Sequence, residues 1–284
     1  MRLADYAAAL AVMVIWGLNF PISKLGMGEL PPLLFVAARF VLVAALICPL
    51  RPLPREKLAG VLQISFVLGS FHFTAMFTGI SLLDGSTAAL LSQSQVPFAA
   101  LLAAVFFRDH LGWWRLLGMS VAFAGVVMIV GEPRFGNDLL PPLMILAGSF
   151  FWAFANILIK RLGSIDGFAL SGWFSLFAAP QLLVLSLLLE HGQGAALRAA
   201  GAAGWGGVAY GGLAVTILSY ALWYPLIRRY PVNQTMPFTL LVPLFGVASS
   251  AAILGERLTW QTAVGGAATI AGVAIIVLRK LRAA

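Results

Sequence analysis

Few residues of this chain could do chemistry, and they stand inside apolar runs. Arg39 sits in Phe35-Val36-Ala37-Ala38-Arg39-Phe40-Val41, and His72 in Gly69-Ser70-Phe71-His72-Phe73. An intramembrane charge costs roughly 2.5–3.5 kcal/mol at the bilayer centre, so Arg39 needs a reason. Its guanidinium fork suits a substrate carboxylate; the competing account is an arginine that snorkels outward or caps the carbonyls of a broken neighbour. His72 suits a proton relay or a substrate hydrogen bond, or is an interhelical histidine already satisfied.

Ser92-Gln93-Ser94-Gln95 leads into Pro97. Ser92 and Gln95 share a helical face, as do Gln93 and Pro97. Proline removes a backbone donor and frees a carbonyl. This pattern reads as a cavity-lining face at a helix break, with interhelical hydrogen bonding as the alternative. Gln234-Thr235-Met236-Pro237 with Pro243 repeats it later. Asn19, two residues before Pro21, and Asn156 are further substrate-contact candidates, with a bend expected at Pro21. Trp152, beside Phe151, offers an aromatic wall for an apolar side chain. Tyr220 shares a face with Trp223 and Tyr224; next to Arg228 and Arg229 an interfacial aromatic belt explains the three first, and Tyr220 is retained as a contact candidate.

Several chemistries have no foundation here. There is one cysteine, Cys48, and the three histidines His72, His110 and His191 are far apart, so neither a disulfide framework nor a metal site is expected. No G-x-x-x-x-G-K-[ST] loop and no acid–His–Cys cluster occurs. The expectation is therefore no enzyme, no metal and no cofactor.

The elements that must position these residues follow from composition. Of 284 residues 61% are hydrophobic and 10% charged, with a net charge of +8. A soluble domain carries about a quarter charged residues, so a water-soluble or disordered chain is excluded. A membrane helix needs about 20 apolar residues. Ten stretches qualify: Ala4–Leu25, Pro32–Leu50, Leu58–Ile80, Ser86–Phe107, Leu111–Val130, Leu140–Ile159, Phe168–Leu189, Trp205–Ile227, Val232–Leu254 and Trp260–Leu278. The first reads as a retained span rather than a cleaved signal. Little chain remains for a soluble catalytic domain.

Basic residues in short loops set orientation. One side collects Arg2, Arg51, Arg55, Lys57, Arg108, Arg115, Lys160, Arg161, Arg228, Arg229, Arg279, Lys280 and Arg282. The other has Lys24, Arg134, Arg198 and Arg257, and Arg39 alone lies within a span. Both termini are therefore expected in the cytoplasm. The positive balance is a topology signal, not a nucleic-acid footprint. No Asp or Glu falls at mid-membrane depth; Glu29, Asp84, Asp109, Glu132, Asp138, Asp166, Glu190 and Glu256 lie in or beside loops. That argues against proton coupling through a buried carboxylate and for facilitated or exchange transport.

The chain also repeats itself. Asp109, Leu111, Trp113, Gly118 and Gly125 recur 147 residues later as Glu256, Leu258, Trp260, Gly265 and Gly272. Val96-Pro97 answers Val242-Pro243, and Trp16, Asn19 and Lys24 answer Trp152, Asn156 and Lys160. Each half holds five spans, an odd number, so the second enters the membrane in the opposite sense. The fold class is all-α and polytopic: ten transmembrane helices in two inverted five-helix repeats, residues 1–135 and 136–284. Inverted repeats are a recurrent plan of secondary transporters, with substrate near the midplane between the halves.

On Trp16-Gly17-x-Asn19 with Lys24, Pro97, and the acid–Leu–Trp–Gly–Gly pattern closing each half, the chain resembles the drug/metabolite transporter superfamily, specifically its EamA-type exporters and among them the YddG-like amino-acid exporters. The resemblance spans essentially the whole chain. It implies a central cavity, alternating access and export of small metabolites, with amino acids the expected cargo. A drug or nucleoside exporter is the alternative within transport, and an intramembrane lipid-modifying enzyme the alternative outside it. The expected setting is the bacterial inner membrane. The expected partners are a small-molecule substrate and the bilayer, without nucleic acid, and the sequence leaves the oligomeric state open.

Overall fold

In hydrocarbon every backbone polar group must be satisfied internally, which confines so apolar a chain to helices. The computed structural model describes residues 1–52, 55–107, 112–132, 138–230 and 232–280. Among the described residues, ten helices are long and apolar enough to cross a membrane. They are α1 (Leu3–Met27), α2 (Pro32–Leu50), α3 (Arg55–Leu82), α4 (Gly85–Phe107) and α5 (Trp113–Val130). The second half supplies α6 (Leu140–Leu162), α7 (Gly167–Leu189), α8 (Ala202–Arg229), α9 (Met236–Leu254) and α10 (Trp260–Leu278). With five helices before it, α6 starts on the face where α5 ends, so the two sets run in opposite senses. Residues 108–111, part of the repeated motif, lie outside the described residues.

The repeated glycines form the tightest seam between the halves. A methyl group added at Gly118 in α5 would stand 2.8 Å from the Gly272 carbonyl oxygen of α10, and one at Gly265 would stand 2.8 Å from the Gly125 carbonyl oxygen. Only helices without side chains at the crossing approach this closely. The α5–α10 pair makes the most extensive helix contact, followed by α3 with α6 and α2 with α7. All three join one half to the other. Gly207 and Gly211 serve differently, making room for the Phe35 ring and the Arg39 side chain.

The third and fourth helices of each half are interrupted at matching places. α3 is π-helical over Phe66–Phe73 and α8 over Tyr210–Leu218. α4 tightens to 3₁₀ at Ser92–Ser94, just before buried Pro97, and α9 at Met236–Leu240, which contains Pro237 and precedes Pro243. Wide and tight turns both leave carbonyls off the regular ladder. Pro21 does not end its helix: α1 stays helical from Leu3 to Met27 straight through it. One missing N–H is tolerated there because Gly17, one turn earlier, locks α1 against Phe245 and Gly246 of α9.

Carboxylates organise the face away from the termini. Glu29 accepts from the Gly201 and Gly204 amides at 2.8 and 2.6 Å, beside the start of α8. Glu190 accepts from Leu33 N at 2.7 Å and Leu34 N at 3.3 Å, the start of α2. Glu256 takes Gly85 N at 2.7 Å, Ser86 N at 2.9 Å and Ser86 Oγ at 2.5 Å, the start of α4. Buried Glu132 accepts from Thr262 Oγ1 at 2.6 Å, in the first turn of α10. Each acid belongs to the opposite half from the helix it holds. Helix starts expose unpaired N–H groups and a positive dipole end, so an anion there is stabilising. Gly255 makes the Glu256 contact reachable: it closes α9 at φ 68°, a left-handed turn that suits glycine.

Candidate functional site

A cleft of about 1010 Å³ opens on the terminus-bearing face, where α2 ends, α7 begins and α8 ends. Its lining includes Arg51, Asp166, Phe168, Tyr224, Pro225 and Arg228. Arg51 stands 3.9 Å from Asp166, both side chains about half exposed, and its guanidinium lies 5.9 Å from the Phe168 ring centre. Asp166 also caps α7 by accepting from Ala169 N at 2.7 Å.

From this cleft a ladder of side chains leads inward along α8. Tyr224 stacks on Tyr220 with centroids 5.1 Å apart, and Thr216 lies one turn deeper. Trp16 of α1 meets Tyr220 and Trp223 edge-on at 6.5 and 5.7 Å. Trp223 is buried in a core cluster with Val12 and Met13. Trp16 thus gives Tyr220 and Trp223 an aromatic partner inside the fold, while Tyr224 lines the cleft.

Arg39 lies beneath the ladder. It is 6% exposed and does not snorkel. Its Nη2 donates to Thr216 Oγ1 at 3.1 Å, and that hydroxyl donates to Gly211 O at 3.0 Å. Its Nε has no hydrogen-bond partner. Thr216 escaped the sequence reading: a lone threonine in an apolar run has no local signature, and its arginine lies 177 residues away.

A second cluster gathers around α6. The His72 ring nitrogen Nδ1 donates to Gly148 O at 2.8 Å, since a carbonyl can only accept. In the neutral ring Nε2 is then the acceptor. The His72 ring lies 5.2 Å from Trp152, and Phe151 stacks on Phe71 at 4.8 Å. Ser149 Oγ donates to Ser92 O at 3.4 Å, drawing the tightened turn of α4 against the same stretch of α6. Ser92 itself donates back to Ala89 O, Gln93 is buried, and Gln95 is half-buried. Ser94 Oγ is buried without a hydrogen-bond partner.

The inverted halves show in the bonding. His72 in the π segment of α3 reaches a carbonyl of α6, and Tyr210 in the π segment of α8 reaches Ile15 O of α1 at 2.8 Å. Each third helix thus grips the first helix of the other half.

The remaining candidates are dispersed. Asn156 is exposed, and its Nδ2 donates to Trp152 O, 2.9 Å away on its own helix. Asn19 is half-buried and accepts from Ser23 Oγ at 3.3 Å. Gln234 is exposed in the short helix Val232–Thr235 that precedes α9. Among the described residues no group of three or more His, Cys, Asp or Glu stands close enough to hold a metal ion.

Comparison with known proteins bears on the whole chain. The profile of the EamA-like transporter family matches twice, over residues 4–131 and 139–278. A protein of Salmonella typhimurium named "Probable amino-acid metabolite efflux pump" is 34% identical, the alignment covering 97% of this chain and 95% of the relative. Its namesake in Escherichia coli is 32% identical over the same shares. A solved crystal structure superposes with a TM-score of 0.67 at 17% identity, covering 100% of this chain and 99% of that one, which supports the fold alone.

Proposed function

The chain belongs to the EamA-like transporter family, and from that membership we propose that it exports small metabolites of the amino-acid class by alternating access between residues 1–135 and 136–284. It is a multi-pass membrane transporter and not an enzyme. We place it in a bacterial inner membrane with both termini cytoplasmic, the side enriched in Lys and Arg. One observation supports the reading: a cleft opens on the terminus-bearing face where α2 and α8 end and α7 begins, while on the opposite face carboxylates of one half bind helix starts of the other. That geometry suits a carrier waiting to load cargo from the cytoplasm. The printed names of the two enterobacterial relatives support amino-acid cargo.

The π segments and proline-adjacent 3₁₀ turns supply the places where α3, α4, α8 and α9 could flex as access changes sides. His72, Ser92, Gln93, Gln95 and Trp152 form the proposed contact surface on one side, and Tyr220 on the other. With the described carboxylates at helix ends or loops, exchange or facilitated flux fits better than proton antiport.

Purified protein in liposomes loaded with unlabelled L-phenylalanine tests this. Accumulation of radiolabelled L-phenylalanine by counterflow is expected, reduced several-fold by His72→Ala and Gln95→Ala. Flux of nucleosides or drugs with no flux of any amino acid would favour the other cargo class. Strict dependence on a proton gradient that survives His72→Ala would sink the exchange mechanism.

A further inference from the structure

We infer that Arg39 is an anion site for the substrate's carboxylate, reached from the terminus-bearing cleft along the Tyr224–Tyr220–Thr216 ladder; the inference deepens the export reading and rests on it for the size of its ligand. Arg39 is 6% exposed, near the middle of α2, and no ion pair engages its guanidinium among the described residues. Its one protein partner is neutral: the Thr216 hydroxyl near the middle of α8. The Nε–H has no acceptor. A buried, uncompensated cation is strongly unfavourable, and a guanidinium satisfied only in part is a fork waiting for a second, charged acceptor.

The surroundings accommodate the arginine itself. A methyl group at Gly211 would come within 2.8 Å of Arg39 Cδ, so glycine at that position leaves the side chain its space. The π-helical stretch that carries both Gly211 and Thr216 presents the hydroxyl to Nη2 while the hydroxyl's own proton goes to the Gly211 carbonyl. Thr216 is thereby held as an acceptor toward the arginine. Arg39 and Thr216 belong to opposite halves, so a ligand bound here touches both bodies whose relative motion constitutes transport. Arg51, Arg228 and Arg229 at the cleft mouth add positive potential on the approach.

The test is isothermal titration calorimetry on purified full-length protein with two probes of one shape: 3-phenylpropionate, and its uncharged amide 3-phenylpropanamide. Wild type should bind the carboxylate at least about tenfold more tightly than the amide. Arg39→Gln should bring the two within about twofold, and Arg39→Lys should keep a reduced preference because it keeps charge but loses the fork. Should Arg39→Gln fail to fold, Gly211→Ala provides the second reading: crowding Arg39 Cδ should lower carboxylate affinity several-fold with the amide unaffected. Equal binding of both probes by wild type, binding of neither, or an undiminished preference in Arg39→Gln or Gly211→Ala overturns the assignment. The two proposals fail separately. Arg39-dependent carboxylate binding without phenylalanine counterflow defeats the export reading alone, whereas counterflow without that dependence defeats the anion site alone.

Discussion

On the face away from the termini, Glu29, Glu132, Glu190 and Glu256 each hold the start of a helix, or its immediate approach, in the opposite half. On the terminus-bearing face the acids stand among exposed side chains: Asp166 meets Arg51 at 3.9 Å, and Asp5 meets Arg229 at 3.3 Å and Tyr230 Oη at 2.6 Å. In the first arrangement Glu29, Glu190 and Glu256 set charge on backbone N–H groups and Glu132 on the Thr262 hydroxyl, mostly at sites where water does not compete well. The second adds charge–charge pairs whose arginines are about half exposed, where screening and side-chain entropy leave little net gain. Contacts of the first kind tie the two halves together at that face. A face stitched the second way keeps a cleft of about 1010 Å³. The two faces therefore differ in where the same few charges land.

The largest effect is expected from Glu256→Ala. It strips the acceptor from two α4 amides and the Ser86 hydroxyl, which should cost about 3 kcal/mol or more in thermal unfolding measured in detergent. It should also loosen that face. Ser250, buried beneath Gly85, gives a reporter: Ser250→Cys should resist thiol reagents in the parent and react once Glu256 is removed. Unchanged reactivity would break the link between caps and closure. Next comes Gly118→Leu, which overpacks the seam common to both faces. About 2 kcal/mol of destabilisation is expected, with no change in Ser250→Cys labelling.

Smaller still is Glu190→Gln. The amide keeps one acceptor for the α2 start but loses the charge, so about 1 kcal/mol should go. The smallest is Asp166→Asn, which preserves an N-cap acceptor for α7 while deleting the pairing with Arg51. A change within about 0.5 kcal/mol is expected. If Asp166→Asn proved as costly as Glu256→Ala, the proposed difference between the faces would collapse.

Much of this architecture was legible in the chain. The recurring Gly118, Gly125, Gly265 and Gly272 marked the internal repeat, and Pro97 with its polar approach marked a disturbed helix. Other features needed the fold. Pro21 lies inside α1 without ending it, where Gly17 one turn earlier packs against Phe245 and Gly246. Nothing near Tyr220 and Trp223 in the sequence announces their packing on Trp16, more than 200 residues upstream. Glu256 stood out as a repeated acid, yet nothing nearby in sequence says that it holds Gly85 and Ser86.

Hydropathy, charge alternation and the repeat by themselves determined ten spans, their alternating direction and the inverted halves. These properties are local sums, or comparisons of one stretch with another, and a linear text carries them in full. Only the tertiary structure decided which helix starts receive the carboxylates, where α3 and α8 widen into π turns, and that Arg39 meets Thr216 with one nitrogen left over. Those outcomes depend on groups more than a hundred residues apart arriving within about 3 Å of each other, a distance at which hydrogen bonds form and of which sequence spacing keeps no record.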